Sequence, residues 1–278
     1  MAADGGACII CLDTSPPPIQ SGCACRGDSG LAHIACLVQA AASQQAQRGS
    51  DVWQQCQTCK QYFTGAMRSG LAEAWRSRVA GQAAESDERL EAEYNLARSL
   101  VHQGKAVEAE PMFRKLYEVE MRVHGAEHPN TLTTASNLAM SLSRQGRHAD
   151  AERIQREVHE VQKRVVGAEH PGTLTTASNL ASSLSRQGRY ADAERIEREV
   201  HEVRKLVLGA EHPDTLTSMN NLAGSLQKQG RNADAERIQH EVHEVTMRVR
   251  GAEHPHTLLS ANVQSGYVPI TPRQVRRG

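Results

Sequence analysis

The sequence predicts a mainly α-helical protein, in which a small cysteine-rich N-terminal segment precedes an array of stacked helical repeats. All seven cysteines of the 278 residues lie between Cys8 and Cys59. The pentapeptide Gly-Ala-Glu-His-Pro recurs every 42 residues, at Gly125, Gly167, Gly209 and Gly251, and a period of this size is typical of a solenoid. Only 3% of the residues are aromatic, which argues against a large aromatic-rich β core.

Charge and hydropathy exclude several classes of protein. The 32 basic and 32 acidic residues balance, so the whole chain shows no electrostatic footprint for nucleic acid or an anionic membrane surface. The sequence contains neither a run of about 18 apolar residues nor a secretory signal pattern. We therefore expect a soluble intracellular protein without a membrane span, cytoplasmic, with the nucleus as an alternative compartment.

The N-terminal segment holds eight candidate metal ligands in four pairs. These pairs are Cys8 and Cys11, Cys23 and Cys25, His33 and Cys36, and Cys56 and Cys59. Zinc prefers four thiolate or imidazole ligands in a tetrahedron, so two such sites use all eight residues, whereas seven cysteines fit a disulfide framework poorly. A segment of about 60 residues with few large apolar side chains also needs metal binding to fold. The sequence therefore predicts two structural zinc ions.

The ligand order resembles that of the RING-CH (RING-variant) zinc finger, whose best-known members are membrane-associated ubiquitin ligases. The resemblance rests on the single residue inside the second pair and the seven residues between Cys25 and His33. The PHD finger shares the ligand order and is the alternative, although its Trp usually lies two residues before the last pair, and Trp53 lies three before Cys56. A PHD-like chromatin reader would also need an aromatic cage, for which only Trp53, Tyr62 and Phe63 are available.

The RING-CH resemblance implies a cross-braced pair of zinc sites. One zinc would be held by Cys8, Cys11, His33 and Cys36, and the other by Cys23, Cys25, Cys56 and Cys59. Both sites would be closed and hence structural. The finger would act by holding a ubiquitin-charged conjugating enzyme in a reactive geometry, so no residue of the chain itself is expected to be catalytic. The implied contacts with the conjugating enzyme and ubiquitin are Ile9, Ile10 and Lys60.

One position departs from the RING-CH pattern. Members commonly carry a Trp four residues after the sixth ligand, as part of the conjugating-enzyme groove, and here that residue is Ala40. The surrounding residues, Leu37 to Gln47, read as an alanine- and glutamine-rich helix. Trp53 would either serve the groove from a shifted position or pack beside the second zinc site.

Each repeat is predicted to contain two helices. Residues 126–167 and 168–209 are identical at 35 of 42 positions, and a degenerate earlier unit covers about 88–124. In the first helix Pro129 is expected to end the preceding segment, with Asn130 or Thr131 as N-cap and Gly146 as a left-handed C-cap. The expected apolar faces are Leu132, Ala135, Leu138, Ala139 and Leu142 on the first helix, and Ala151, Ile154, Val158, Val161 and Val165 on the second, which runs from about residue 149 to 165.

The small residues Ala139 and Ala151 with Gly146 between them resemble the tetratricopeptide repeat. The phrase His-Pro-x-Thr-Leu and the 42-residue length are similar to the repeats of kinesin light chain. The resemblance covers roughly residues 88–262 and implies a superhelix with a concave peptide-binding groove. Asparagines would bind the peptide main chain and cations its carboxylates. These residues are Asn137, Asn179 and Asn221, and Arg144, Arg186 and Lys228. Alternatively, the asparagines bond to neighbouring repeats and the cations are solvated.

Together these patterns divide the chain into a finger at 1–63, a linker at 64–87, a repeat array at 88–262 with a partial fifth unit, and an irregular tail at 263–278. A short helix from Ser69 to Val79 is expected in the linker. The recurring histidines beside proline, such as His128 and His170, are expected to be turn residues and not metal ligands.

The leading functional hypothesis is a RING-type ubiquitin-protein ligase. The finger would bind a ubiquitin-conjugating enzyme, and the repeat groove would recruit a protein substrate or adaptor, preferably through an acidic segment. Transfer would proceed without a covalent ubiquitin intermediate on this chain, because all seven thiols are assigned to zinc. The alternative is a zinc-finger scaffold that assembles proteins without ligase activity.

Overall fold

The computed structural model describes residues 6–20, 22–23, 25 and 30–250. The partial fifth repeat and the tail expected over residues 251–278 lie outside these ranges. The chain divides into two compact units, Met1–Gln145 and Gly146–Gly278. The first contains the cysteine-rich segment and the repeat helices up to residue 144, and the second contains the repeat helices that follow.

The cysteine-rich segment has little regular structure apart from one helix. Strands β1 (Ile19–Gln20) and β2 (Leu31–Ala32) pair antiparallel, with Ile19 opposite Ala32. Helix α1 (Ile34–Arg48) follows directly and is succeeded by a short 3-10 helix, Ser50–Trp53. A segment with so few hydrogen-bonded elements fits a small metal-stabilised finger.

Helix α2 (Gly65–Val79) joins the finger to the repeats. It is longer than the helix expected from Ser69 to Val79. Its buried face packs against α1 and against α3 (Asp87–His102), so the finger and the first repeat share one hydrophobic core. The large side chains of this core on the finger and α2 include Trp53, Phe63, Met67, Leu71, Trp75 and Val79. The linker helix therefore contacts both neighbours.

The rest of the first unit follows the repeat pattern. Helix α4 (Ala106–Val123) packs against α3, and α5 (Pro129–Arg144) packs against α4. The expected apolar face of α5, from Leu132 to Leu142, is buried. After this helix Gly146 has φ +80°, the left-handed conformation predicted for the residue that ends it.

The second unit contains five helices among the residues that the structure describes. They are α6 (His148–Val165), α7 (Pro171–Arg186), α8 (Tyr190–Leu208), α9 (Pro213–Lys228) and α10 (Asn232–Arg250). Each packs against the next, and equivalent residues fill equivalent cores: Leu180 and Ala193 in one repeat, Leu222 and Ala235 in the next. The predicted fold class, a mainly α protein of stacked helical repeats, is confirmed.

Two local expectations were wrong. Pro129 is the first residue of α5, and the N-cap is His128, whose Nδ1 accepts a hydrogen bond from the Asn130 backbone N–H at 3.2 Å. His170 and His212 cap α7 and α9 in the same way. Proline suits the first helical position because its missing N–H would have no partner there. Val165, expected to face inward, is exposed in the last turn of α6.

Candidate metal centres and interaction surfaces

The first candidate metal centre gathers Cys8, Cys11, His33 and Cys36. Their ligand atoms all lie within 4.8 Å of one another. The His33 Nδ1 is 3.3 Å from the Cys11 Sγ and 3.6 Å from the Cys36 Sγ. A tetrahedral zinc with bonds of about 2.0 Å to nitrogen and 2.3 Å to sulfur has nitrogen–sulfur edges of about 3.5 Å. The donor set and its spacing therefore fit a divalent metal.

A hydrogen bond from Nε2, the second ring nitrogen of His33, fixes the orientation of the ring. His33 Nε2 lies 2.5 Å from the Pro16 carbonyl oxygen, to which its N–H donates. Such a hydrogen bond leaves Nδ1 unprotonated and aimed at the cysteines, as a metal ligand requires. Sequence spacing gave no signal for Pro16, because the two residues lie 17 positions apart and no motif links them.

The second candidate centre gathers Cys23, Cys25, Cys56 and Cys59, again with all ligand atoms within 4.8 Å. The Cys25 and Cys56 sulfurs are 3.7 Å apart. The sulfur–sulfur edge of a tetrahedral zinc–thiolate site is about 3.8 Å. The structure thus brings together all eight predicted ligands in two groups, and each group can hold a metal ion.

The protonation of these thiols is uneven. Burial raises the pKa of Cys8, but backbone N–H groups of Cys11, His33 and Ile10 outweigh it and bring the pKa down to about 6. Hydrogen bonding with Cys23, together with burial and the thiols of Cys56 and Cys59, raises the pKa of Cys25 to about 12. Four crowded thiols cannot all ionise without a compensating charge. A divalent cation supplies that charge, and its binding releases the protons.

An apolar cavity of about 170 Å³ adjoins the loop between the first two ligands. Ile9 and Ile10 line it and are 45% and 43% exposed. Leu37, Ala40 and Val52 line it as well. The Ile9 backbone N–H donates to the Leu31 carbonyl oxygen at 3.0 Å, which ties the loop to β2. Because the Ala40 side chain is a single methyl group, it leaves this cavity unfilled.

Trp53 does not line this cavity. It is 2% exposed and its indole N–H donates to Gln45 Oε1 at 2.9 Å. Trp53 therefore does not serve a groove at this cavity, and it packs instead in the core that the finger shares with α2. Lys60 is exposed directly after the last cysteine, and its Nζ donates to Gln57 Oε1 at 3.2 Å.

In the first unit, two predicted groove residues make contacts within the protein. Asn137 Nδ2 donates to the Tyr94 hydroxyl at 3.1 Å and to the Thr133 carbonyl at 2.9 Å. Arg144 Nη1 donates to the Val101 carbonyl at 2.8 Å. Both side chains therefore bridge α5 to α3, the first helix of the preceding repeat.

In the second unit, Arg186 and Lys228 are exposed and Asn179 is half-buried. Asn221 Nδ2 lies 3.4 Å from Glu197 Oε1, and the Ser178 hydroxyl lies 3.3 Å from Glu197 Oε2. Glu197 on α8 thus links the first helices of two neighbouring repeats. Burial raises the pKa of its carboxyl to about 7, against the opposing effects of Ser178, Asn221 and Arg204.

Sequence reasoning missed Glu197, although a signal was available. Residues 126–167 and 168–209 differ at seven positions, and two of these replace the buried Gln155 and the half-buried Gln162 by Glu197 and Arg204. Such differences between near-identical repeats change the polar side chains that lie between the helices, and not only those that face the solvent. The pair stands seven residues apart, two turns along one face of the helix.

The tetratricopeptide repeat model matches the sequence over residues 88–160, 132–205 and 174–238, which together span more than half of the chain. The chain belongs to the tetratricopeptide repeat family. Stacked repeats of this kind present extended surfaces for protein partners. The tetratricopeptide repeats therefore make this chain a protein–protein interaction protein. Within the described residues, none of the helices combines the length and apolarity needed to cross a membrane.

Solved structures resemble the fold of this tetratricopeptide repeat protein. The nearly identical TPR-like repeats of a proposed kinesin light chain from Podosopora anserina align with a TM-score of 0.61 at 21% identity, covering 78% of this chain and 96% of that one. BtubC (BKLC) from P. vanneervenii aligns with a TM-score of 0.55 at 14% identity, covering 88% and 84%. At such low identities, these TM-scores show a shared fold and nothing more. No curated protein sequence matches the chain.

Proposed function

We propose that both cysteine clusters bind zinc and that the finger is a RING-CH-type module of a ubiquitin-protein ligase. The metal proposal is supported by two four-ligand sets of thiolate and imidazole donors, the combination that zinc favours in structural sites. Zinc would supply no chemistry of substrate turnover, because four protein ligands leave no open position. Its role is to fix the loop that carries Ile9 and Ile10.

The observation that carries the ligase proposal is the exposed apolar surface at this loop. Ile9 and Ile10 are held between Cys8 and Cys11 beside an open cavity of about 170 Å³. Isolated exposed apolar side chains are common, but two at the mouth of an apolar cavity are typical of a docking site. A ubiquitin-conjugating enzyme is the partner that the RING-CH resemblance implies. Lys60, exposed after Cys59, would contact ubiquitin.

The repeats would recruit the protein to be modified. Arg186 and Lys228, at equivalent positions of neighbouring repeats in the second unit, are exposed and would receive the carboxylates of an acidic segment. Asn179 and Asn221 would hold its main chain, and Asn137 and Arg144 would serve the same roles in the first unit. The chain would hold no covalent ubiquitin, and its catalysis would consist of positioning.

The ligase proposal is tested by discharge of ubiquitin from a panel of charged conjugating enzymes to free lysine. The zinc-loaded full chain is expected to accelerate discharge from at least one of them. Ile10→Ala should abolish the acceleration with two zinc ions retained, whereas Val107→Ala, which shortens an exposed apolar residue on α4, should leave it unchanged. Activity that survives Ile10→Ala would show that the contact is wrong.

A second candidate function is a zinc-finger scaffold without ligase activity. It is favoured by Ala40, which removes the usual Trp from the cavity, and by Trp53, which is buried elsewhere. Two bound zinc ions combined with no discharge from any conjugating enzyme would support the scaffold over the ligase.

A further inference from the structure

A second cavity, of about 310 Å³, opens among the first repeat helices. Its walls come from α3, α4 and α5, with Gln54 of the finger at one side. The lining residues used below are Asp87, Leu90, Glu91, Tyr94, Glu120 and His124. The cavity lies wholly within the first unit and is separate from the apolar cavity beside Ile10.

The lining is acidic. Asp87, Glu91 and Glu120 contribute three carboxylates, and none of the described lining residues is a lysine or arginine. His124 Nε2 lies 3.6 Å from Asp87 Oδ1 and its ring stacks on His128 with centroids 4.4 Å apart. Local charge therefore favours a cation in the cavity.

Glu120 distinguishes this cavity from an ordinary acidic surface, because its carboxylate is buried. It is 3% exposed, and its Oε2 has no hydrogen-bond partner among the residues that the structure describes. Burial raises the pKa of this carboxyl, while the Thr134 hydroxyl and His124 act in the opposite direction. A buried carboxylate oxygen without a partner is costly, and a cation that reaches it would remove this cost.

Glu91 is held in place by the finger. Its Oε1 accepts hydrogen bonds from the Ser50 hydroxyl at 2.7 Å and from Gln54 Nε2 at 3.4 Å. Burial raises the pKa of the Glu91 carboxyl, and the Ser50 hydrogen bond opposes the rise. The second carboxylate of the cavity thus has a fixed position that depends on the folded finger.

The acidic lining is specific to the first repeat. Forty-two residues further along the chain, Glu91, Tyr94 and Glu120 are replaced by Thr133, Ser136 and Gln162. The next unit therefore lacks the carboxylates that line this cavity at the positions of Glu91 and Glu120.

We propose that this cavity is a subsite for a lysine or arginine side chain of a bound peptide segment. The proposal rests on the peptide-binding role of the repeats given under the proposed function. A deep carboxylate is reached best by a side chain that carries its charge at the end of a long stem, and Leu90 offers the stem an apolar wall. The occupant is a peptide because α3 and α5 are the first helices of their repeats, which line the peptide-binding face in this family.

The test begins with selection of phage-displayed 12-residue peptides on the zinc-loaded full chain. We expect the selected peptides to share a lysine or arginine at one fixed position. A fluorescein-labelled selected peptide, made with lysine or with acetyl-lysine at that position, then measures the contribution of the charge. The acetylated peptide should bind at least about tenfold more weakly, since truncating a buried charge pair typically costs more than this factor.

The matched variant is Glu120→Gln, which introduces the residue found at the equivalent position 162 and is therefore expected to fold. It should bind both peptides alike, whereas Glu108→Gln, at an exposed position of the same helix, should keep the difference. Peptides that bind without a cationic preference would overturn the subsite and leave peptide binding by the repeats intact. Failure to select any peptide would overturn both. If free cadaverine displaced the labelled peptide as effectively as the unlabelled peptide does, the assignment of a peptide as the occupant would be overturned. The outcome of this peptide-binding test does not depend on whether the chain has ubiquitin ligase activity.

Discussion

Trp53 of the finger stacks on Trp75 of α2, with ring centroids 5.8 Å apart and ring planes at 3°. These are the two tryptophans of the whole chain, and both are buried in the core that the finger shares with the first repeat. Offset stacking of this kind adds about 1 kcal/mol to the effect of burial. The fold of the finger is thereby coupled to the packing of α2, and tryptophan emission reports on that single core.

Removal of metal should unfold the finger while most of the repeat helices remain. Treating the zinc-loaded chain with a chelator is expected to shift tryptophan emission to longer wavelength, because both indoles become hydrated. Helical circular dichroism should fall only modestly, since all eight candidate ligands lie before the repeat helices. Cys56→Ser should reproduce the emission of the chelated protein. Retention of two zinc ions by this variant would contradict the ligand assignment.

Two glycines inside helices should respond to alanine with opposite signs. A Cβ at Gly70 in α2 would lie 2.7 Å from Ile34 Cγ2 of α1, so Gly70→Ala is expected to cost about 1–3 kcal/mol of unfolding free energy. A Cβ at Gly224 in α9 meets no atom within 4 Å, so Gly224→Ala should stabilise by about 0.5–1 kcal/mol. Urea unfolding measures both. Adding Ile34→Ala should recover part of the loss at Gly70, and no recovery would rule out this clash as the cause.

Glu197 should make the second unit less stable as pH rises from about 4.5 to about 7. Its folded pKa of about 7 exceeds the ordinary value of 4.5, so the folded state prefers the protonated carboxyl. Folding stability is therefore lost as pH rises through this window. Glu197→Gln is expected to flatten the dependence and to stabilise at pH 8 by about 1–3 kcal/mol.

Urea unfolding at several pH values checks this prediction. The double substitution Glu197→Gln with Arg204→Gln recreates the Gln155 and Gln162 pair of the neighbouring repeat and should also lack the dependence. Glu202→Gln, at an exposed position of α8, is the control and should retain it. An unchanged pH profile in Glu197→Gln would show that the carboxyl titrates normally.

Ala40→Trp should strengthen the proposed contact with a conjugating enzyme. An indole at this position would fill the cavity of about 170 Å³ beside Ile10 and enlarge the apolar docking surface. We expect single-turnover ubiquitin discharge to rise about tenfold, because aromatic anchors dominate binding at such surfaces. Gln39→Trp, on the exposed side of the same helix, serves as the control. A fall in the discharge rate with zinc content unchanged would mean that the enzyme needs the cavity open.

Spacing and periodicity along the chain were sufficient to predict much of the fold. The 42-residue period predicted the helix pairs, and the apolar face of α5 is buried as expected. The eight predicted ligands meet in two groups, because paired residues and short loops constrain which donors can approach one ion. The helix caps were harder, since a histidine that caps through Nδ1 looks in the sequence like any surface histidine beside a proline.

The sequence by itself determined which residues form the two candidate metal sites and the order and length of the repeat helices, because both follow from regularly spaced residues. The tertiary structure decided the contacts and cavities that form where segments distant in sequence meet. It placed Trp53 on Trp75, left the cavity at Ala40 open, and buried the carboxylates of Glu120 and Glu197. Those outcomes depend on burial and on partners tens of residues away, such as Asn221 beside Glu197. Spacing along one helix does not encode such contacts.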